Sequence, residues 1–455
     1  MKPRGMLKKT VLLLICFAML GLFRSSLLVS RAEAVEKIRI PVLGPMKFHF
    51  GKFLKNAGQL TADLINEQGG IDVGGVKHEI ELIIIDDNDL LSISDAVNAM
   101  ERAVSIENAN FIIAGSRTES TLAMMDIAAD NKKIFLDANS VHPNQIKRVK
   151  DNYDRYKYFF RVSYTYDMSI LGYILSDLDS VGQIIKKELG IEKVRLAVML
   201  DKAAYAEPFA KIAKPLLTAM GFEWVGMWRP SYAAKDLFAE VSAIKAGNAQ
   251  LILAVMSGGS GQAFVNAWAK LKVPAAITGT ISDAQREAFW QTTGGAANYV
   301  GSYNSLGRVE MSPTTIDFFD RYKKRFGDQP GWNSPYIEAA LWAIKGAVER
   351  AGTLNPEKVI PELEKTDIEV AMGRLKFYPQ DSNRPHQAIY GEGYQTLVSF
   401  QWRDGKQLIY YPSATPLNKV ILAKSPESAY LAKTRYKGTV DYVLPPWMVE
   451  FWKKK

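Results

Sequence analysis

From Lys37 onward, short β-rich runs alternate with longer amphipathic ones, and at Lys193 the same alternation begins again. The first set runs Ile38–Leu43, Lys52–Glu67, Glu79–Ile85, Ser94–Glu107 and Asn110–Ala114, which spells strand, helix, strand, helix, strand. Parallel strands need long crossovers, so this order specifies a doubly wound parallel sheet. In the Lys52 run, Phe53, Leu54, Ala57, Leu60, Leu64 and Ile65 recur at the three-and-four spacing of one buried helix face, and Gly69-Gly70 ends it. The second set comprises Lys193–Met199, Glu207–Met220, Phe222–Met227, Ala234–Ala246, Gln250–Met256, Phe264–Leu271 and Ala275–Thr278. Between them lies Asp151–Tyr166, dense in aromatics and charges, which reads as the crossing from one lobe to the other. Two further helices, Thr314–Phe326 and Pro335–Ala351, precede a hairpin-like stretch, Gly373–Tyr411, with strands near Leu375–Phe377, Thr396–Trp402 and Gln407–Tyr411. The predicted fold class is α/β, two doubly wound parallel-sheet lobes joined by a hinge, with a short C-terminal extension.

The chain of 455 residues carries 57 Lys+Arg against 48 Asp+Glu, a formal charge of +9 that invites a nucleic-acid reading. The charge is not spread evenly. Residues 1–34 contribute +5, and there Lys2, Arg4, Lys8 and Lys9 precede the apolar run Thr10–Phe23 and the small-residue site Ala32-Glu33-Ala34. That is the order of a cleaved secretory signal peptide, and the run is shorter than the ~20 residues of a membrane span. The tail Lys419–Lys455 contributes another +5, which leaves Val35–Asn418 near −1 and argues against nucleic acid as a partner. The single cysteine, Cys16, lies in the signal segment, so the mature chain has no sulfur for disulfides, metal thiolates or a nucleophile.

Catalytic and metal motifs are missing from the sequence. The four histidines, His49, His78, His142 and His386, show no metal-ligand spacing. Asp86-Asp87-Asn88-Asp89 resembles the start of a calcium loop, but Ser92 and Asn98 stand where that loop needs Gly and Glu, so it reads as a solvated loop. Ser257-Gly258-Gly259-Ser260-Gly261 lacks the lysine of a phosphate loop and reads as a tight strand-to-helix turn, and no G-x-S-x-G elbow occurs. What remains is polar residues at strand ends, where doubly wound sheets hold ligands. Gly115-Ser116-Arg117-Thr118 follows one strand and opens a helix, where hydroxyls and free amides suit a carboxylate or cap the helix through Ser116 or Thr118. Asp137-Ala138-Asn139-Ser140 follows the next.

On these residues the chain resembles the periplasmic leucine/isoleucine/valine-binding protein family, the type I solute-binding proteins of branched-chain amino acid ABC transporters. The resemblance spans about Lys37–Tyr411. It is carried by Gly44-Pro45, Asp63-Leu64-Ile65-Asn66-Glu67-Gln68-Gly69-Gly70-Ile71, Asp86-Asp87, Gly115 to Thr121, Asp201-Lys202-Ala203-Ala204-Tyr205-Ala206-Glu207 and Met372-Gly373-Arg374-Leu375-Lys376-Phe377. It implies a ligand held between two lobes, with Thr118 as the carboxylate-binding hydroxyl beside Ser116 and Arg117. It also implies Asn139 and Ser140 at the ligand's charged ends, Phe50 as an aromatic lid and Tyr205 as the aromatic of the second lobe. Three positions depart from the family pattern: Val141 replaces a threonine, Ser257 a tyrosine, and Ile281 the acid that pairs with an ammonium, for which Asp283 is the nearest substitute. Without that acid a buried ammonium is disfavoured, and a carboxylate with an apolar or aromatic body, gripped by Arg117 and Thr118, fits as well.

The implied organisation is a signal peptide over 1–34, one lobe from 35–160 and 304–378, a second from 161–303 and 379–418, and a basic aromatic tail over 419–455. The implied function is the periplasmic, monomeric substrate-binding component of an ABC importer, needing no cofactor or metal, catalysing no reaction, and passing an amino acid or related carboxylate to an inner-membrane permease. A sensory module for a membrane receptor and a secreted hydrolase are the alternatives. The aromatic tail is expected to pack on a lobe, with contact to a partner or an anionic membrane as the other reading.

Overall fold

The strands of the first half read as near-continuous apolar runs because both faces of each are covered. In a computed structural model describing residues 36–164, 168–410, 416–432 and 436–455, five parallel strands form the first sheet: β1 (Ile38–Gly44), β2 (Ile80–Asp86), β3 (Phe111–Ala114), β4 (Ile134–Asp137) and β5 (Phe159–Arg161). Their order is β2-β1-β3-β4-β5. Alternation of side chains along a strand then divides the core. Phe111 and Ile113 face the cluster that holds α1 (His49–Glu67), whereas Ile112 and Ala114 face the one that holds α2 (Ile93–Ser105) and α3 (Thr118–Asp130).

The second half repeats the plan. After the 22-residue α4 (Met168–Leu189), strands β6 (Arg195–Leu200), β7 (Glu223–Trp228), β8 (Leu251–Met256) and β9 (Ala276–Ile281) form a parallel sheet of order β9-β8-β6-β7. Leu251, Leu253 and Val255 face the core shared with α5 (Glu207–Ala219), while Ile252, Ala254 and Met256 face α6 (Phe238–Ala246) and α7 (Gly261–Lys270). β10 (Gly301–Asn304) then lies beside β9 through the parallel bridge Ile277–Val300. The chain returns to the first half as α8 (Thr315–Phe326) and α9 (Ser334–Ala351), which both pack on α1. Ile38–Lys455 cluster as one unit.

The segment 1–34 read as a signal peptide, with Cys16, lies outside the described residues, and three stretches differ from the sequence reading. Asp151–Tyr166 is not wholly a crossing, since Phe159-Phe160-Arg161 forms β5; three residues are too few to show a period. Helix α4, apolar enough on most sides to be largely buried, has no clean stripe and was not anticipated. Gly373–Tyr411 is not one hairpin: β11 (Asp367–Val370) pairs with β12 (Gly373–Lys376), and β13 (Val398–Arg403) pairs with both β10 and β14 (Lys406–Tyr410).

The aromatic tail packs on the second half. In α10 (Pro446–Lys454) Met448 is buried, the Trp447 indole N–H donates to Val273 O (3.2 Å), and that of Trp452 donates to Pro274 O (2.6 Å). Upstream, the Tyr442 hydroxyl donates to Ile277 O (2.8 Å). Lys453, Lys454 and Lys455 remain exposed. Among the described residues no helix is long and apolar enough to cross a membrane.

Helix α9 carries one acid into the core. Glu338 is buried, accepts the Ala371 N–H (3.2 Å) and a side-chain bond from Trp342, and burial outweighs both to raise its pKa from 4.5 to about 8. A folded-state pKa above the unfolded one favours the native state fully below 4.5, and this contribution is lost as pH rises through 8. Glu338→Gln is therefore expected to flatten the fall in thermal midpoint between pH 5 and pH 8. Parallel midpoint-against-pH curves for variant and parent would contradict this reading.

Candidate functional site

A cavity of about 340 Å³ opens where the carboxyl ends of the two parallel sheets face each other. Nearly every strand contributes the residues just beyond its end. Phe50 follows β1, Leu90 follows β2, Ser116 to Glu119 follow β3, and Asn139 and Val141 follow β4. From the other side come Lys202 to Tyr205 and Glu207 after β6, Tyr232 after β7, Ser257 after β8, and Thr280 and Ser282 at the end of β9. This is the position at which doubly wound sheets bind ligands.

The first wall is set by buried carboxylates behind it. At Gly115 the backbone is left-handed (φ +100°), and a Cβ there would lie 2.2 Å from Asp137 Oδ1. That oxygen accepts the N–H groups of Asn139 (3.0 Å) and Ser140 (2.8 Å), while Asp89 Oδ2 accepts the N–H of Arg117 (2.8 Å). Burial raises the pKa of Asp87, Asp89 and Asp137, with the Asp89 charge raising Asp87 further. The acidic loop is thus not the solvated one expected: Asp87 and Asp89 turn inward and are fully buried. Helix α3 starts at Thr118 with Arg117 as its N-cap, and no side chain caps it, so the expected Ser116 or Thr118 cap is absent. Its first amides have no acceptor within the helix, and the Ser116 hydroxyl is buried with no hydrogen-bond partner among the described residues.

The second wall is organised by Asp201. Its Oδ2 accepts the N–H groups of Ser257 (2.6 Å) and Gly258 (3.2 Å) and the hydroxyls of Ser257 (3.2 Å) and Tyr205 (3.3 Å). The base is aromatic. Tyr164, Tyr303 and Trp332 line the cavity, with Trp332 edge-on to Tyr164 (centroids 5.1 Å apart) and to Tyr303 (5.6 Å).

Charge on the lining is largely matched. The Arg117 guanidinium donates to both oxygens of Glu119 (3.3 Å each), and Glu207 pairs with Arg229 (2.8 Å). Lys202 is exposed and makes no ion pair among the described residues. Among the described residues no group of His, Cys, Asp or Glu is placed to hold a metal ion.

Seven residues singled out in the sequence line this cavity: Phe50, Ser116, Arg117, Thr118, Asn139, Tyr205 and Ser257. Two do not. The Ser140 hydroxyl accepts from the Gln145 amide and turns away. Asp283 lies outside the lining: its Oδ2 accepts the Gln262 N–H (3.3 Å) at the start of α7, and its other oxygen lies 3.5 Å from Arg286. Residues not anticipated are Leu90, Glu119, Lys202, Tyr232, Thr280, Ser282 and the aromatic base. The aromatic density of Asp151–Tyr166 was the one signal that pointed toward Tyr164.

A family model described as periplasmic binding protein matches residues 37–392. A curated relative, Leu/Ile/Val-binding protein homolog 7 of Brucella melitensis, is 20% identical over 89% of this chain and 98% of its own. Among solved structures, a leucine-binding protein of Thermotoga maritima superposes with a TM-score of 0.65 at 20% identity, covering 82% of this chain and 97% of that one. A Rhodopseudomonas palustris solute-binding protein in complex with 3,4-dihydroxybenzoic acid gives 0.66 at 19% identity, covering 82% and 95%. The likeness to these structures confirms the predicted two-lobe fold.

The close approach at Gly115 generates a direct test. Gly115→Ala combines a strained backbone with a clash against Asp137 and is expected to cost about 1–3 kcal/mol of stability. Denaturant unfolding measures it, and an unchanged midpoint would show that the loop after β3 tolerates a side chain.

Proposed function

The chain belongs to the periplasmic binding protein family, and on that premise we propose that it is the solute-capturing component of an ABC importer, exported by the segment 1–34 and delivering its ligand to an inner-membrane permease. The family and its structural neighbours are solute-binding proteins, not enzymes. We propose the division of lobes given above, with hinge closure driven by ligand contacts to both walls.

The solute in this reading is a small carboxylate with an aromatic body. One observation carries it: the lining acids, Glu119 and Glu207, are already paired with arginines, while Phe50, Tyr164, Tyr205, Tyr232, Tyr303 and Trp332 surround the cavity. An ammonium on this lining would meet no acid that is not already paired with an arginine, whereas a flat ring would meet aromatic faces and edges. Its carboxylate would sit against Ser116, Thr118 and the start of α3, with Asn139 beside it. Solved relatives in complex with 3,4-dihydroxybenzoic acid, benzoate and 4-hydroxybenzoate support this choice, and one in complex with isoleucine supplies its competitor.

Thermal-shift measurements separate the two. Benzoate-type carboxylates at millimolar concentration are expected to raise the unfolding midpoint, and leucine or isoleucine to leave it unchanged, because only a ligand bound to the native state stabilises it. Stabilisation by aliphatic amino acids alone would refute the assignment. Ser116→Ala is expected to weaken the bound carboxylate by about three- to tenfold, the worth of one hydrogen bond.

A further inference from the structure

We propose that the amino ends of β8 and β9, with α10 packed against them, form a docking surface for an anionic phospholipid bilayer. Solute capture does not call for such a surface, and it stands at the opposite end of the second sheet from the cavity.

The indoles of Trp447 and Trp452 fasten α10 to the carbonyls of Val273 and Pro274. That anchoring brings the lysines of the tail beside others that are distant in sequence. Lys455 Nζ donates to Asn248 Oδ1 (2.7 Å), just ahead of β8, and Lys245 Nζ donates to Leu271 O (2.6 Å), the residue before Lys272. Lys245, Lys272, Lys453, Lys454 and Lys455 are all exposed. Of the five, Lys454 alone makes an ion pair among the described residues, with Glu450. Cations gathered from three separate segments repel one another, and an anionic partner relieves that repulsion.

Apolar groups in the same patch favour a bilayer over an acidic protein. Phe451 on α10 is 42% exposed and Val443, just ahead of the helix, 38%. The Lys455 ammonium lies 5.8 Å from the Phe451 ring centroid. An exposed ring rimmed by lysines matches the water–lipid boundary, where the ring enters the headgroup layer and the ammonium groups meet phosphates. The strand between patch and cavity sets their separation. β8 runs from Leu251 to Met256 before Ser257 reaches the cavity, and at ~3.3 Å per residue its six residues span about 20 Å. A protein seated on this surface keeps its cavity clear of the lipid.

Vesicle cosedimentation tests this with the exported form, which lacks residues 1–34 and hence the apolar run Thr10–Phe23. At low ionic strength it is expected to bind vesicles of mixed phosphatidylglycerol and phosphatidylcholine, to ignore phosphatidylcholine alone, and to be released in about 1 M salt. The variant Lys453→Glu/Lys454→Glu/Lys455→Glu should bind about a hundredfold more weakly, from about fivefold for each lysine. Lys245→Glu/Lys272→Glu, on the neighbouring segments, should also weaken binding, by at least about tenfold. The variant Lys55→Glu/Lys324→Glu/Lys358→Glu makes the same change in net charge on exposed lysines elsewhere and should stay within about threefold of the parent. Equal weakening by the two triple variants would reduce the effect to net charge and overturn the proposal. So would absence of binding to the mixed vesicles, or binding that survives high salt. Capture by soluble polyglutamate as tight as by vesicles, unchanged in Phe451→Ala, would give the surface to an acidic protein and overturn the bilayer assignment.

Discussion

The buried guanidinium of Arg161 is the constraint on which the arrangement of the two halves depends. It stands at the end of β5, where the chain leaves the first sheet, and is fully buried. Its Nε donates to Gln387 Oε1 (2.6 Å) and its Nη1 to Gln145 Oε1 and His142 O (2.7 Å each). The backbone repeats the tie, with Arg161 N–H donating to His386 O and Ala388 N–H to Arg161 O (2.9 Å each). Two segments more than 200 residues apart are thereby fixed side by side. A buried charge without partners would be strongly unfavourable, so the surrounding acceptors define one geometry for the crossing.

Tyr164 follows three residues after that clamp and belongs to the aromatic base of the cavity, as do Tyr303 at the end of β10 and Trp332 ahead of α9. The aromatic residues at the base of the cavity are therefore in or beside the segments that join the halves. Walls come from strand ends and the base comes from connections, so a ligand filling this space touches both sheets and what links them. Binding and the relative disposition of the lobes share the same side chains, which is the physical basis for coupling one to the other.

The repeated alternation of strands and helices was legible because parallel strands buried on both faces and helices with one apolar stripe leave strong periodic signals. Helices α1, α8 and α9 begin within three residues of where the sequence placed them. The cavity's first wall was legible for a related reason: Ser116, Arg117, Thr118 and Asn139 follow recognisable strands. What escaped notice lacked a local pattern. β5 is three residues long, α4 is apolar on more than one side, and Trp332 reaches the cavity from a loop whose position is dictated by distant packing. Asp283 falls outside the cavity because proximity in sequence to Ile281 does not determine direction, and an amide at the start of α7 takes up its carboxylate.

The strap formed by α10 has a consequence for the order in which the native state can be completed. The carbonyls of Val273 and Pro274, just before β9, are capped by indoles 174 and 178 residues further along the chain. Closing so long a loop is entropically slow, and neither contact can form until nearly the whole sequence has emerged. On a chain made N-terminus first these two carbonyls therefore wait for the last residues, whereas every segment that supplies the cavity's walls, from Phe50 to Ser282, has been made long before.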